Sequence, residues 1–144
     1  MINILEASVG VYKLVGVLYE VHRELGPGLN EYIYQEGLKR EFELQGIPYQ
    51  KEVPYHPIYK GQPMESEYRL DFLADDNYII ELKAVSALTD DHRAQLFNYM
   101  HLCRPKAGIL INFAPKSCVI ERYLFDDIQD AILTIDGKII HRRK

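Results

Sequence analysis

The sequence predicts an α/β domain built around a mixed β-sheet, and the hydrophobic pattern supports this class in two ways. Apolar residues recur with helical spacing over residues 11–25 and again over about 30–44. After Pro48 the pattern changes to short strand-like segments, of which residues 106–113 are almost entirely apolar, as is typical of a strand buried on both faces. The predicted order of elements is ααβββαββ with a C-terminal hairpin.

Two helices open the predicted fold. The first presents a stripe that we expect to face the core: Tyr12, Val15, Leu18, Tyr19, His22 and Leu25. The segment Gly26-Pro27-Gly28 ends this helix, because proline lacks a backbone donor and glycine allows unusual backbone angles. Asn30 is the predicted N-cap of the second helix, whose stripe contains Glu31, Tyr34, Leu38 and Phe42.

The segments that follow are predicted as strands around one further helix. Residues 49–59 form an edge strand, because Pro54 and Pro57 cannot donate to a ladder, and residues 60–63 form a turn. Two antiparallel strands, 67–73 and 78–85, flank a turn at 74–77. Thr89 caps a helix that reaches about residue 102, and strands 106–113 and 119–124 come next. Asp136-Gly137 then predicts a two-residue hairpin turn.

Length and composition fit one domain over residues 1–144. With 47% hydrophobic and 26% charged residues, the chain can bury one core and is not intrinsically disordered. No signal-peptide pattern and no apolar run near the roughly 18 residues of a membrane span occur, so we expect a cytoplasmic protein with no membrane partner. Cys103 and Cys118 match no zinc pattern, and we expect both to be reduced.

Charged side chains interrupt two of the predicted strands. Glu81 and Lys83 lie on one face of strand 78–85, and Asp71 in the preceding strand comes almost opposite Glu81 if residues 75–77 form the turn. Two carboxylates on neighbouring strands beside a lysine suit a hard divalent cation. The alternative is a solvated face, on which Glu81 and Lys83 form a surface ion pair of little energetic weight.

Four sequence elements together resemble a known superfamily. Asp71 followed by Glu81-x-Lys83 resembles the core of the PD-(D/E)xK nucleases, and residues 28–34 are similar to the GxxExxY signature of the family named after that motif. Gln95 and Tyr99 resemble the QxxxY element of RecB-like nucleases. The resemblance covers about residues 11–124, leaves 125–144 as a C-terminal extension, and implies a restriction-endonuclease-like core.

The resemblance also implies a role for each site residue. Asp71, Glu81 and the Leu82 backbone carbonyl would hold Mg²⁺ or Mn²⁺, with Glu31 contacting the metal directly or through water. Lys83 would orient the attacking water and stabilise the developing charge, and Gln95 would position the water or the phosphate. Tyr34 and Tyr99 would support the site. Core packing with a satisfied hydroxyl is the alternative for both tyrosines, and a solvated helix position is the alternative for Gln95.

The expected function is that of a metal-dependent phosphodiester hydrolase acting on DNA. One alternative is a catalytically silent nucleic-acid-binding or scaffold protein, and a second is a hydrolase of another phosphodiester. The net charge of -4 argues against tight, metal-free coating of nucleic acid, but a bound cation would reverse the local field at the acidic site. We also expect a homodimer or a protein partner, and the basic residues 141–144 either contact phosphate or are unstructured.

Overall fold

A computed structural model describes residues 2–143, so that Met1 and the last basic residue, Lys144, lie outside the described part. Three helices and nine strands are found in residues 2–143. They are α1 (Ile4–Leu25), α2 (Glu31–Gln45), β1 (Tyr49–Tyr55), β2 (Ile58–Tyr59), β3 (Gln62–Pro63), β4 (Tyr68–Ala74), β5 (Tyr78–Lys83), α3 (Asp90–Cys103), β6 (Ala107–Asn112), β7 (Val119–Asp126), β8 (Ala131–Leu133) and β9 (Ile139–Arg142).

Seven strands form the central sheet, in the order β1-β4-β5-β6-β7-β8-β9. Only β5 and β6 pair parallel, and α3 connects them, while every other neighbouring pair is antiparallel. The helices α1 and α2 pack on one face of the sheet, around Leu18, Leu38 and Ile80, and α3 packs on the other, around Leu96 and Ile79. The predicted class, a mixed sheet flanked by helices as in restriction-endonuclease-like cores, is confirmed.

The first helix begins earlier than predicted, and the predicted stripe is buried only in part: Val15 and Leu18 are buried, and His22 and Leu25 are half-buried. Its N-cap is Asn3, whose Oδ1 accepts a hydrogen bond from the Glu6 N–H at 3.0 Å. Tyr12 is 82% exposed and Tyr19 is 50% exposed, so both face solvent. The buried stripe is aliphatic: Ala7, Val11, Leu14, Val15, Val17, Leu18 and Val21. Apolar residues occur on most faces of this helix, and the tyrosines take the outer one because their hydroxyls can remain hydrated.

The second helix follows the prediction except at its start. Tyr34, Leu38 and Phe42 are buried, whereas Glu31 is exposed. Asn30 occupies the N-cap position, but its side chain makes no capping hydrogen bond. Gly46 ends the helix with φ 69°, a left-handed conformation that glycine adopts without steric strain.

Residues 49–63 differ from the predicted single strand and turn. The edge strand stops at Tyr55, and β2 and β3 form a separate two-stranded sheet. The turn between them is only Lys60-Gly61, with φ of 49° and 79° at the two positions, as in a type I′ turn. Pro57 separates the two sheets because it cannot donate to a continuing ladder.

The C-terminal hairpin is confirmed, with a wider turn than predicted. β8 pairs antiparallel with β9 and continues the main sheet, so the extension beyond residue 124 is part of the same sheet. The Gly137 N–H donates to the Thr134 carbonyl and the Thr134 N–H to the Lys138 carbonyl, which places three residues in the loop. Residues 141 and 142 lie in β9, so the unstructured alternative is wrong for this part of the basic end. No helix in residues 2–143 has both the length and the apolar character needed to cross a membrane.

Candidate active site

The ribbon formed by β1 and β4 changes the face that it presents to the core. Phe72 packs on the side of α1 and α2, but Leu70, two residues away, packs on the side of α3. Alternate residues of a regular strand share a face, so the alternation must break between them. The break is opposite Asp71, at Glu52, whose φ of 54° is left-handed. The ribbon therefore turns over at this position.

Asp71 and Glu81 meet where the ribbon turns over. Backbone pairing between β4 and β5 reaches Phe72 and Ile80. One step beyond, the Asp71 N–H donates to Glu81 Oε1 at 3.0 Å, and the Leu82 N–H donates to Asp71 Oδ2 at 2.9 Å. The two carboxylates thus take the place of backbone acceptors, and their side chains lie together as the strand register predicts.

Burial dominates the electrostatics of this pair. Glu81 is only 3% exposed, and its burial, together with the nearby charge of Asp71, raises the pKa of Glu81 to about 9. Burial also raises the pKa of the half-buried Asp71, although the hydrogen bond from Leu82 acts against it. Two adjacent buried acids do not both ionise readily, and the charge of the nearby Lys83 offsets this only in part. A divalent cation bound beside the pair would therefore favour release of the protons of Asp71 and Glu81.

Lys83 and Gln95 stand beside the carboxylates. Lys83 ends β5 on the same face as Glu81, and its Nζ donates to Gln95 Oε1 at 3.4 Å. Gln95 lies in the second turn of α3, which begins at a capping box formed by Thr89 and His92. The Phe113 N–H donates to the Lys83 carbonyl at 2.9 Å and anchors the end of the strand. An ammonium group is thereby held at a defined place next to two acids.

Glu31 approaches this group from the first residue of α2. Desolvation raises its pKa, the charge of Asp71 raises it further, and the charge of Lys83 lowers it. Glu31 is therefore close enough to both residues for their charges to act on it, although its side chain is exposed. The structure places a third acid at the rim of the site rather than in its interior.

The two tyrosines differ in their position. The contacts of Tyr34 are those of a core residue: its ring stacks on Phe113 at 4.5 Å, and its hydroxyl donates to the Gly26 carbonyl at 2.6 Å. The same hydroxyl accepts from the Leu29 N–H at 3.1 Å, so Tyr34 packs in the core and fastens the loop before Glu31. Tyr99 is buried near the acids, and burial followed by the charges of Glu81 and Asp71 raises its pKa.

Two further residues shape the site and are absent from the sequence-based set. Glu52 lies opposite Asp71, and its charge contributes to the raised pKa of Asp71. In the sequence it resembles any exposed residue of an edge strand, and nothing in the local pattern distinguishes it. Asn112 is 1% exposed, and its side chain bonds both the N–H and the carbonyl of Val85, at 3.0 and 2.9 Å. In the sequence, the indication of a special role for Asn112 is that it is a lone amide at the end of an apolar strand.

The residues fit a hard divalent cation. Asp71 and Glu81 supply carboxylate oxygens, the ligand type that Mg²⁺ and Mn²⁺ prefer. Glu31 is not grouped with them as a third direct ligand, so from the rim it would reach such a cation through water. Within residues 2–143, no group of three or more His, Cys, Asp or Glu side chains is arranged to hold a metal by itself. Mg²⁺ keeps several of its waters, so a pair of carboxylates is a sufficient protein contribution.

A sequence model of the PD-(D/E)XK nuclease superfamily matches residues 9–123. This range agrees closely with the part of the chain in which the sequence motifs were found, and it contains Glu31, Asp71, Glu81, Lys83 and Gln95. Comparison with curated proteins finds no match, and comparison with solved structures finds none either. The match spans most of the chain, and the chain belongs to the PD-(D/E)XK nuclease superfamily.

Proposed function

We propose that the protein is a metal-dependent nuclease that hydrolyses phosphodiester bonds of DNA with Mg²⁺ or Mn²⁺. The observation that carries this proposal is the buried Asp71–Glu81 pair at the opening between two strands, next to a lysine held by Gln95. We also propose that residues 28–34 and the Gln95–Tyr99 pair are the GxxExxY and QxxxY elements of the superfamily. Nuclease-like hydrolysis is what membership in this superfamily suggests for the chain.

The proposed chemistry distributes the roles over five side chains. Asp71 and Glu81, with Glu31 and the Leu82 carbonyl, would hold the metal, which when bound supplies Lewis-acid activation of water and phosphate. Lys83 stabilises the negative charge that develops on the phosphate oxygens and orients the attacking water. Gln95 accepts from Lys83 Nζ and so keeps the ammonium group directed at the site. Because the position of the Lys83 ammonium group is fixed before the reaction, little reorganisation is needed in the transition state.

A second candidate function is nucleic-acid binding or scaffolding without turnover. It is favoured by one observation: Glu81 is buried beside Asp71, and its pKa, raised to about 9, keeps it protonated near neutral pH when no cation is bound. The set of Asp71, Glu81, Lys83 and Gln95 favours hydrolysis instead, because burying acids beside a lysine is unfavourable unless they serve a purpose. Cleavage assays separate the two functions.

The test is cleavage of single- and double-stranded DNA and RNA with Mg²⁺ or Mn²⁺. We expect Lys83→Ala to lower the cleavage rate by about 10²–10³-fold, because it removes the group that stabilises the developing charge. Lys116→Ala, at an exposed position, is the control and should cleave like wild type. Equal rates for Lys83→Ala and wild type would indicate a contaminant and reject the mechanism. Absence of cleavage with retained DNA binding would favour the scaffold.

Metal binding is tested separately by calorimetry with Mn²⁺. Asp71→Asn should abolish the heat of binding, since an amide is a weaker ligand than a carboxylate for a hard cation. Asp76→Asn, in the exposed turn between β4 and β5, is the matched control because asparagine tolerates the left-handed φ of 61° there. Unchanged uptake in Asp71→Asn would remove Asp71 from the ligand set.

A further inference from the structure

A cavity of about 300 Å³ lies beside α3, on the same side of the sheet as the carboxylates. Its lining includes Tyr68 from the start of β4, Asn98 and His101 from α3, and His141 and Arg143 from the C-terminal end of the chain. The nuclease chemistry proposed above uses none of these side chains. They come from three separate parts of the chain and are brought together only by the fold.

A chain of hydrogen bonds holds the two histidines. His101 is only 6% exposed, its Nδ1 is 2.7 Å from Asp130 Oδ1, and its Nε2 is 2.9 Å from His141 Nδ1. Burial acts against ionisation of Asp130, but the hydrogen bond with His101 and the nearby arginine charges leave its pKa below the usual value. The carboxylate can only accept, so His101 donates from Nδ1. The orientation of both rings is thus defined.

The protonation state of the two rings determines whether Nε2 of His141 accepts or donates a hydrogen bond. If neither ring is charged, His141 donates from Nδ1 to His101, and its own Nε2 is a bare acceptor. If the two rings carry one additional proton, His101 donates to His141 Nδ1, and Nε2 of His141 becomes an N–H donor. Among the described residues, none bonds this Nε2 in the structure. An anion in the cavity would stabilise the second state, because it needs a donor there.

The surroundings of the cavity favour a negatively charged oxygen ligand. Arg143 contributes a guanidinium group, Asn98 an amide and Tyr68 a phenol, all of which can donate to an oxyanion. The backbone N–H of Arg143 donates to the Asp130 carbonyl at 3.1 Å, so this end of the chain is tied to the histidine pair. The titratable groups that act on His141 are His101 from α3 and Asp130 before β8. Arg143 after β9 lines the same cavity, and Arg104 at the end of α3 balances the charge of Asp130.

Two tyrosines in contact connect the cavity to the proposed catalytic site. Tyr68 lines the cavity and meets the ring of Tyr99 edge to face at 5.5 Å, and Tyr99 senses the charges of Glu81 and Asp71. We infer that the cavity binds a backbone phosphate of the nucleic-acid strand, away from the phosphate that is cleaved, through Arg143 and His141. This inference rests on the proposed function, for which it supplies a contact that orients the substrate strand.

The test is DNA binding by the full chain in EDTA, measured by the fluorescence anisotropy of a labelled single-stranded oligonucleotide. At pH 5.5 we expect Arg143→Gln and His141→Gln each to raise Kd about tenfold, because each removes a charge-assisted contact with phosphate. Arg142→Gln is the matched control: it removes the same charge one residue away, from a side chain that donates to Gln129 at 2.6 Å, and should change Kd less than twofold. The slope of log Kd against log salt should decrease by about one for Arg143→Gln.

The pH dependence of DNA binding is a readout that a general loss of positive charge would not change. Burial and the nearby His101 lower the pKa of His141, so wild type should bind more tightly as pH falls from 7 to 5, whereas His141→Gln should lose most of this dependence. Equal weakening by Arg142→Gln and Arg143→Gln would overturn the inference in favour of diffuse attraction by the basic end. Wild-type affinity in both cavity variants would overturn it as well.

A second substrate distinguishes failure of the phosphate-site inference from failure of the proposed nuclease function. With Mn²⁺, hydrolysis of a small phosphodiester that cannot reach the cavity should have the same kcat/KM in wild type and Arg143→Gln, while oligonucleotide cleavage should show a raised KM. Loss of small-substrate hydrolysis in Arg143→Gln would overturn the assignment of a remote phosphate contact. If wild type cleaves neither substrate but the binding differences hold, the nuclease proposal fails and the phosphate site stands.

Discussion

Asp71 and Glu81 join their two strands through side chains rather than through backbone acceptors. Glu81 Oε1 accepts from the Asp71 N–H at 3.0 Å, and Asp71 Oδ2 accepts from the Leu82 N–H at 2.9 Å. Each carboxylate therefore has one oxygen committed to the backbone and lies against a second acid. Because burial raises the pKa of both, this contact should make the stability of the metal-free protein depend on pH.

Glu81→Gln should stabilise the metal-free protein at alkaline pH. The pKa of Glu81 is raised in the folded state from 4.5 to about 9, so the folded state binds the proton more tightly than the unfolded state. Folding stability must then fall as pH rises between about 4.5 and 9. Glutamine removes this loss and keeps an acceptor for the Asp71 N–H, so we expect a gain on the order of 2 kcal/mol at pH 8 and little difference at pH 4.

Urea denaturation in EDTA at several pH values measures this difference. Glu65→Gln, at an exposed position, is the control and should follow wild type at every pH. Added Mg²⁺ should stabilise wild type and not Glu81→Gln, because a ligand stabilises the folded state only if it binds there. A wild-type stability that is constant from pH 5 to 9 would contradict the raised pKa.

The strand register at this site could be predicted from the sequence because few alternatives were available. A short turn of Asp75, Asp76 and Asn77 forces two strands to pair antiparallel, and counting back from it places Asp71 beside Glu81. The helix positions of Gln95 and Tyr99 follow equally from a single spacing of four residues. Local constraints of this kind leave little for tertiary structure to decide.

The remaining features depend on contacts that sequence patterns do not record. In α1 both the aliphatic face and the face with Tyr12 and Tyr19 are apolar, and packing buries the aliphatic face while the tyrosine hydroxyls stay hydrated outside. The reversal of the β1–β4 ribbon also escaped prediction, because Glu52 carries no residue-type indication of a positive φ. The role of Asn112 depends on Val85, which is 27 residues away in the sequence.

Substitutions at Glu52 should reveal the backbone conformation at the ribbon reversal. At φ 54°, glycine is free of steric strain, whereas a β-branched residue is strained by about 1–2 kcal/mol. We therefore expect Glu52→Gly to be more stable than Glu52→Val by roughly that amount in urea denaturation. The order should invert at Gln50, an exposed position of the same strand with ordinary strand geometry, where valine is preferred. Equal stability of the two Glu52 variants would exclude the left-handed conformation.

Asn112 should hold the segment that follows Lys83. Asn112→Leu removes both partners of the Val85 backbone, and leaving these groups unpaired should destabilise the protein by about 2 kcal/mol. The amide exchange of Val85 should accelerate in this variant. Asn112→Asp retains an acceptor for the Val85 N–H, so there the amide should remain protected even though stability falls. Unchanged Val85 exchange in Asn112→Leu would show that the hydrogen bond does not protect this segment.

Two glycines of α1 should respond in opposite directions to the same substitution. A Cβ at Gly10 would lie 2.0 Å from the hydroxyl oxygen of Tyr78, a buried residue, so Gly10→Ala must displace this ring and should destabilise the protein by about 1–3 kcal/mol. A Cβ at Gly16 would meet no atom within 4 Å, and alanine is the better helix former, so Gly16→Ala should stabilise it by about 0.5–1 kcal/mol. Urea denaturation measures both, and a stabilised Gly10→Ala would contradict the close approach of α1 to Tyr78.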